Sequence, residues 1–184
     1  LPICFMTSKI EALHKETQRL GQRDVLTACL NESTFSALVD TYANDSTLEA
    51  GSIRGTVLLI NVDDLGVVNE RFGYSWGNEA LAQVAASIRK TVRQGDIVGR
   101  VSRSQFGVFL PRTGEVNARS VAERIYENVA KIDFFPAGVQ YPLSIRAGAV
   151  IVSDSASFDD LLRKATGTLA MTEGAGQEWI QYAS

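Results

Sequence analysis

Two β-rich runs around a short polar turn decide the fold of this chain: DIVGRV (96–101) and QFGVFLP (105–111), joined by SRS (102–104). Both runs contain β-branched or aromatic residues, and the polar turn between them predicts a β-hairpin. A third run, TVLLINV (56–62), is almost wholly apolar, which is typical of a central strand. The hairpin places at least one antiparallel strand pair in the sheet.

Outward from these strands, helical and β patterns alternate. A strand is predicted over 143–152 and an edge strand over 179–182. Apolar residues at helical spacing predict helices over 33–43, 64–72, 77–93, 116–131 and 158–172. Because a tight hairpin interrupts the alternation, we expect a mixed sheet rather than an all-parallel one.

The N-terminal segment forms a separate unit in this interpretation. Residues 7–22 have a helical pattern, and its apolar seam is formed by Ile10, Leu13, Thr17 and Leu20. This seam fits either a parallel helix pair or a single amphipathic helix lying on its own domain. We therefore assign residues 1–23 to a linker or signalling helix and residues 24–184 to one domain.

Composition excludes several classes of protein. The chain has 184 residues and a net charge of −3, so no nucleic-acid partner is expected. Two cysteines are too few for a disulfide framework, which favours a cytoplasmic domain. The apolar start at residues 1–6 leaves open an upstream membrane anchor, because the chain begins at Leu1 rather than at a methionine.

Landmarks of a known family occur in order between residues 24 and 182. DVLT (24–27) precedes Asn31 and Phe35, NVDDL (61–65) precedes Asn69, Gly73, Gly77 and Leu81, and RVSRSQF (100–106) precedes FLP (109–111). This series resembles the GGDEF domains of diguanylate cyclases. Their signature position is occupied here by Ser102-Arg103-Ser104-Gln105-Phe106. The resemblance implies an α/β (α+β) fold of the nucleotidyl-cyclase, ferredoxin-like type, with a mostly antiparallel sheet covered by helices.

The resemblance also implies a chemistry. The family joins two GTP molecules into cyclic di-GMP, and each GTP is bound by one half-site of a dimer. Carboxylates hold two divalent cations there, because hard cations take oxygen ligands and offset the triphosphate charge. At the two metal-carboxylate positions this chain has Asn61 and Ser104, and Gln105 replaces the next glutamate. Asp63 is retained, but one carboxylate is a poor site for two Mg²⁺ ions.

Other family positions have changed as well. The signature glycines are Ser102 and Arg103, so side chains occupy the turn where backbone would approach phosphate. The guanine-reading Asn69 is retained, whereas its aspartate partner is Asn78. Three family cations are replaced in this chain, by Gly66, Glu173 and Gln177. We therefore expect no catalytic residues, no metal site, no Mg²⁺ cofactor and no cyclase activity.

One family motif is intact. Arg93 and Asp96 form an R-x-x-D at the position where active members have an inhibitory, product-binding site. A guanidinium can stack on guanine, and a carboxylate can accept from its N–H groups. Arg124, on the next predicted helix, is a candidate second cation. The alternative is that Arg93 and Asp96 only cap a helix end in solvent. Arg100 and Arg103 are expected to face solvent around the hairpin.

These observations predict an inactive GGDEF-type signalling domain of a bacterial cyclic di-GMP pathway, acting as a receptor of cyclic di-GMP. Two alternatives stay open. One is a pure interaction domain that forms a homodimer or contacts other signalling domains of the same chain. The other is a GTP-binding or weakly active diguanylate cyclase.

Overall fold

The computed structural model describes residues 21–184, so the predicted N-terminal helical seam lies outside the described residues. Five helices are α1 Glu32–Ala43, α2 Leu65–Phe72, α3 Tyr74–Thr91, α4 Glu115–Ala130 and α5 Phe158–Ala170. Five strands are β1 Gly55–Val62, β2 Ile97–Ser102, β3 Gln105–Pro111, β4 Ile145–Val152 and β5 Ile180–Ala183. A 3₁₀ turn, Pro136–Gly138, precedes β4. No helix in the described part combines the length and the apolar character needed to cross a membrane.

The five strands form one sheet in the order β2-β3-β1-β4-β5. The β2–β3, β3–β1 and β1–β4 pairs are antiparallel, and only β4–β5 is parallel. This confirms the predicted hairpin and the mixed, mostly antiparallel sheet. The apolar β1 is the central strand, and Asn61, near its end, faces Gln105 on one neighbour and Arg146 on the other.

Helices cover both faces of the sheet, because alternate residues of β1 point to opposite sides. Leu58 and Ile60 belong to a core that includes buried residues of α2, α3 and α4. Val57 and Leu59 belong to a second core, with buried residues of α1 and α5. The result is a three-layer arrangement that leaves the strand ends and the hairpin turn at the rim.

Two glycines let α1 approach the sheet closely. Gly99 and Gly107 are cross-strand neighbours on β2 and β3. A Cβ atom at either position would lie 2.5 Å from the Phe35 side chain, which is fully buried. The ring of Phe35 therefore occupies the space that side chains on β2 and β3 would otherwise fill.

The join between α2 and α3 differs from the prediction. Helix α3 begins at Tyr74, three residues before the predicted start at 77. Gly73 has a φ of 101°, and its N–H donates to the carbonyl of Asn69 at 2.9 Å. A residue without a Cβ can adopt this conformation, so one glycine ends α2 and begins α3 without an intervening loop.

Candidate functional site

The end of β1 and the hairpin turn meet at the rim of the sheet. The N–H of Val62 donates to the carbonyl of Ser104 at 2.9 Å, and Ser104 Oγ lies 3.5 Å from Asn61 Oδ1. The fold thus brings together the two side chains that the resemblance assigns to metal-carboxylate positions. Both are neutral, so their juxtaposition contributes no formal charge.

Asp63, the retained carboxylate, lies in an ion pair that was not predicted. Arg146 Nε donates to Asp63 Oδ1 at 2.8 Å, and the hydroxyl of Ser144 donates to Oδ2 at 3.2 Å. The same guanidinium lies 3.8 Å from a carboxylate oxygen of Glu173. Arg146 therefore satisfies much of the charge and hydrogen-bonding capacity of Asp63. An arginine inside the apolar run of β4, opposite Asn61, was the available signal in the sequence.

The donor set at this rim does not suit a pair of Mg²⁺ ions. Hard divalent cations prefer several carboxylate oxygens, whereas this rim offers an amide, a hydroxyl and a carboxylate already bonded to arginine. Over residues 21–184, no group of three or more histidine, cysteine, aspartate or glutamate side chains is placed to hold a metal ion.

A cleft of about 440 Å³ opens beside the hairpin turn. Asn69 lines it and packs so closely against α3 that a Cβ on Gly77 would lie 1.7 Å from Asn69 Oδ1. Arg103, which is exposed as predicted, places its guanidinium 5.9 Å from the ring centroid of Tyr74. The full lining is Asn61, Val62, Asp64, Leu65, Gly66, Val67, Asn69, Tyr74, Arg103 and Ser104.

Four residues predicted near this pocket lie outside its lining. Asn78 is exposed on α3, one residue beyond the Gly77 contact. Glu173 follows α5 with a side chain that is 70% exposed, and Gln177 lies in the next turn. Gln105 accepts a hydrogen bond from the Ser102 hydroxyl at 3.0 Å. The described cleft therefore contains one formal charge beyond Asp64, that of Arg103.

The prediction that Arg100 faces solvent is wrong. Its side chain is only 18% exposed, with Nη1 3.1 Å from Asp24 Oδ2 and Nη2 donating to the carbonyl of Arg103. Partial burial acts to raise the pKa of Asp24. Hydrogen bonds from Thr27 and Arg100 outweigh it and hold that pKa below its usual value. The Arg100–Asp24 ion pair links the segment before α1 to the hairpin.

The R-x-x-D residues form a tight turn directly after α3. The backbone N–H of Arg93 donates to Asp96 Oδ2 at 2.8 Å, and the N–H of Asp96 donates back to the carbonyl of Arg93. The Asp96 side chain is 5% exposed, whereas that of Arg93 is 61% exposed. Asp96 therefore organises the turn, and Arg93 is the member open to a ligand.

A cavity of about 430 Å³ adjoins this turn. Two arginines that sequence reasoning did not single out, Arg23 and Arg89, line it together with Arg93. Arg124, the predicted second cation, is exposed on α4 and is absent from the lining. The full lining is Arg23, Leu30, Leu38, Arg89, Val92, Arg93, Gln94, Gly95, Asp96, Ile97 and Val98.

The sheet order, the two helical layers and the hairpin at the rim define a domain of the nucleotidyl-cyclase type. Residues 21–178 match the family model described as "Diguanylate cyclase, GGDEF domain". The chain belongs to the GGDEF family.

Comparison with individual proteins agrees with this assignment. The chain is 28% identical over 184 residues to the probable diguanylate cyclase DgcT of Escherichia coli K12, covering 97% of this chain and 39% of that protein. It is 27% identical to the E. coli K12 diguanylate cyclase DgcM, covering 91% of this chain and 40% of that protein. The chain thus spans about two fifths of the length of these curated relatives.

A solved structure shares the fold. The coiled coil and GGDEF domain of DgcB from Caulobacter crescentus, in complex with c-di-GMP, superposes with a TM-score of 0.85 at 17% identity. The match covers 99% of this chain and 97% of the DgcB chain.

Proposed function

We propose that this GGDEF domain lacks diguanylate cyclase activity and acts as a receptor of cyclic di-GMP through the turn formed by Arg93 and Asp96. The observation that carries the loss of activity is the rim of the sheet. There Asn61 and Ser104 form a neutral pair, and Asp63 is bonded to Arg146.

The size of the expected loss follows from the chemistry. Phosphoryl transfer between two GTP molecules develops negative charge that metal ions must neutralise. Removing one electrostatic partner of a transition state commonly reduces the rate by about 10²–10³. Two metal carboxylates are replaced here, so the combined loss takes the rate below ordinary detection.

The receptor role is supported by the geometry of the turn. The guanidinium of Arg93 is exposed, beside a cavity of about 430 Å³, and its backbone is held by Asp96. A planar guanidinium can stack on a guanine ring or donate two hydrogen bonds to O6 and N7. The 5% exposure of Asp96 favours a positioning role for this carboxylate over direct contact with guanine. The DgcB structure, described as a complex with c-di-GMP, makes this nucleotide the first ligand to test.

Isothermal titration calorimetry with cyclic di-GMP tests the receptor role. We expect micromolar or tighter binding, about −8 kcal/mol or more favourable. The variant Arg93→Ala should weaken it by about 10–150-fold, as expected for a lost charge-assisted contact. Asn69→Ala, in the separate cleft beside the hairpin, is the matched control and should bind as the parent does.

Two outcomes would replace this proposal. A flat titration at tens of micromolar nucleotide would favour the pure interaction domain, which sedimentation analysis of a homodimer would then address. Binding of GTP with Mg²⁺ that is abolished by Asn69→Ala would favour a GTP-binding domain.

A further inference from the structure

Two arginines outside the R-x-x-D motif share its cavity. Arg89 lies on the last turn of α3, one turn before Arg93, and Arg23 lies before α1. Both residues are exposed, and both line the cavity of about 430 Å³. Three arginines thus line one cavity in a protein whose net charge is −3.

Positive charges outnumber negative charges among the residues that line this cavity. Among the described residues that line it, Asp96 is the only carboxylate; it lies 3.7 Å from Arg93 Nε and accepts a hydrogen bond from the backbone N–H of Arg93. Within residues 21–184, no ion pair involves Arg23 or Arg89. Among the described residues at the cavity, two positive charges therefore have no ion-pair partner, which matches a ligand with two phosphodiester groups, each carrying one negative charge.

Arg23 and Arg89 come from different parts of the chain. Arg23 forms a β-bridge with Leu30, and Leu30 forms a second bridge with Gly99 of β2. The N–H of Leu30 donates to the carbonyl of Val98 at 3.0 Å. The wall of the cavity is thus built from the segment that precedes α1 and from the end of α3 with the start of β2.

We propose that Arg23 and Arg89 bind the phosphate groups of the cyclic dinucleotide. Ligand binding then fastens residues 21–30 to the end of α3. This inference rests on the proposed receptor function and adds a regulatory consequence. Residues 21–30 connect directly to residues 1–20, so a ligand held by both arginines restrains the point where the upstream segment joins the domain.

Calorimetry on single variants of the full chain tests the phosphate contacts. Arg23→Ala and Arg89→Ala should each weaken cyclic di-GMP binding by about tenfold or more, since each removes a charge-assisted contact. Lys90→Ala is the matched control. Lys90 is an exposed cation next to Arg89 but lines the groove between α3 and α4, so this variant should bind as the parent does. Higher salt should reduce the differences in cyclic di-GMP affinity between the parent and these arginine variants, because screening weakens exposed charge pairs.

The outcomes separate this inference from the receptor proposal. If the parent binds, Arg93→Ala binds weakly and both Arg23→Ala and Arg89→Ala bind like the parent, the phosphate role is wrong while the receptor function stands. If the parent shows no binding, the receptor function itself fails. Arg23 donates to the carbonyl of Ala28 at 2.9 Å, so its removal alters a local turn. Arg89 lies on α3 rather than in that turn, so Arg89→Ala tests the phosphate contact from a second element of the cavity.

Amide hydrogen exchange tests the regulatory part. Saturating cyclic di-GMP should slow exchange of the N–H groups of residues 22–30 in the parent, because local opening would break the ligand contact. The slowing should be lost in Arg23→Ala at a ligand concentration that still saturates the variant. Equal slowing in parent and variant would overturn the link through Arg23.

Discussion

The Arg146–Asp63 pair should contribute measurably to stability, and Arg146→Ala tests this. Arg146 Nε and Asp63 Oδ1 are 2.8 Å apart, and the side chains are only 27% and 19% exposed. A hydrogen bond to a charged group contributes about 1.5–3 kcal/mol, and leaving a partly buried charge unpaired adds a desolvation cost. Since solvent still screens this pair, we expect Arg146→Ala to lower the free energy of unfolding by about 2 kcal/mol.

Urea denaturation followed by circular dichroism measures this change, and the chain offers a matched control. Arg163 Nη1 lies 3.1 Å from Asp160, but these side chains are 78% and 63% exposed. Arg163→Ala should therefore cost less than about 0.5 kcal/mol. A double-mutant cycle of Arg146→Ala with Asp63→Asn should give a coupling energy of about 1–2 kcal/mol. A cost no larger than that of Arg163→Ala, together with zero coupling, would refute the assignment of Asp63 to a structural pair.

Four further results are expected. Purified protein should form no cyclic di-GMP from GTP with Mg²⁺ or Mn²⁺ in a chromatographic assay, and product above background would contradict the loss of activity. Asn61→Asp combined with Ser104→Asp should not restore turnover, because Arg103 still occupies the turn where backbone would approach phosphate; clear turnover would make the missing carboxylates the only defect. Arg93→Lys should bind cyclic di-GMP nearly as weakly as Arg93→Ala in calorimetry, since lysine lacks the planar donor fork, and parental affinity would contradict stacking. The pKa of Asp24 is lowered in the folded protein, so the contribution of this carboxylate to stability is complete above its ordinary pKa of 3.8 and is lost as pH falls through the lowered pKa. The difference in unfolding free energy between the parent and Asp24→Asn should therefore become smaller in acid. A difference that grows in acid would contradict this prediction.

Local sequence patterns were sufficient to predict the helices, the strands and the hairpin, because each is formed by residues that lie close together along the chain. The hairpin, the central strand and the helices predicted after residue 32 follow from periodicity, and all of these are present with shifts of a few residues at their ends. The family register also placed Asn61 and Ser104 at a common site, and their side chains lie 3.5 Å apart. Hydrophobic periodicity predicts these helices and strands because each apolar face packs against one hydrophobic core.

Charge pairing between distant segments was decided by the tertiary structure. Arg146 meets Asp63 across 83 positions of sequence, and Arg100 meets Asp24 across 76. Neither pair follows from composition or spacing, because each depends on the strand order and on the register between strands.

The sequence by itself therefore determined the main helices and strands, the family and the neutral character of Asn61 and Ser104, all of which are local properties of residue type and spacing. The three-arginine cavity arises only after folding, when the segment before α1 pairs with β2 beside the end of α3 and brings Arg23 to Arg89 and Arg93. Side-chain electrostatics act over a few ångströms through space, so the partners of a charge are fixed by which segments the fold places together.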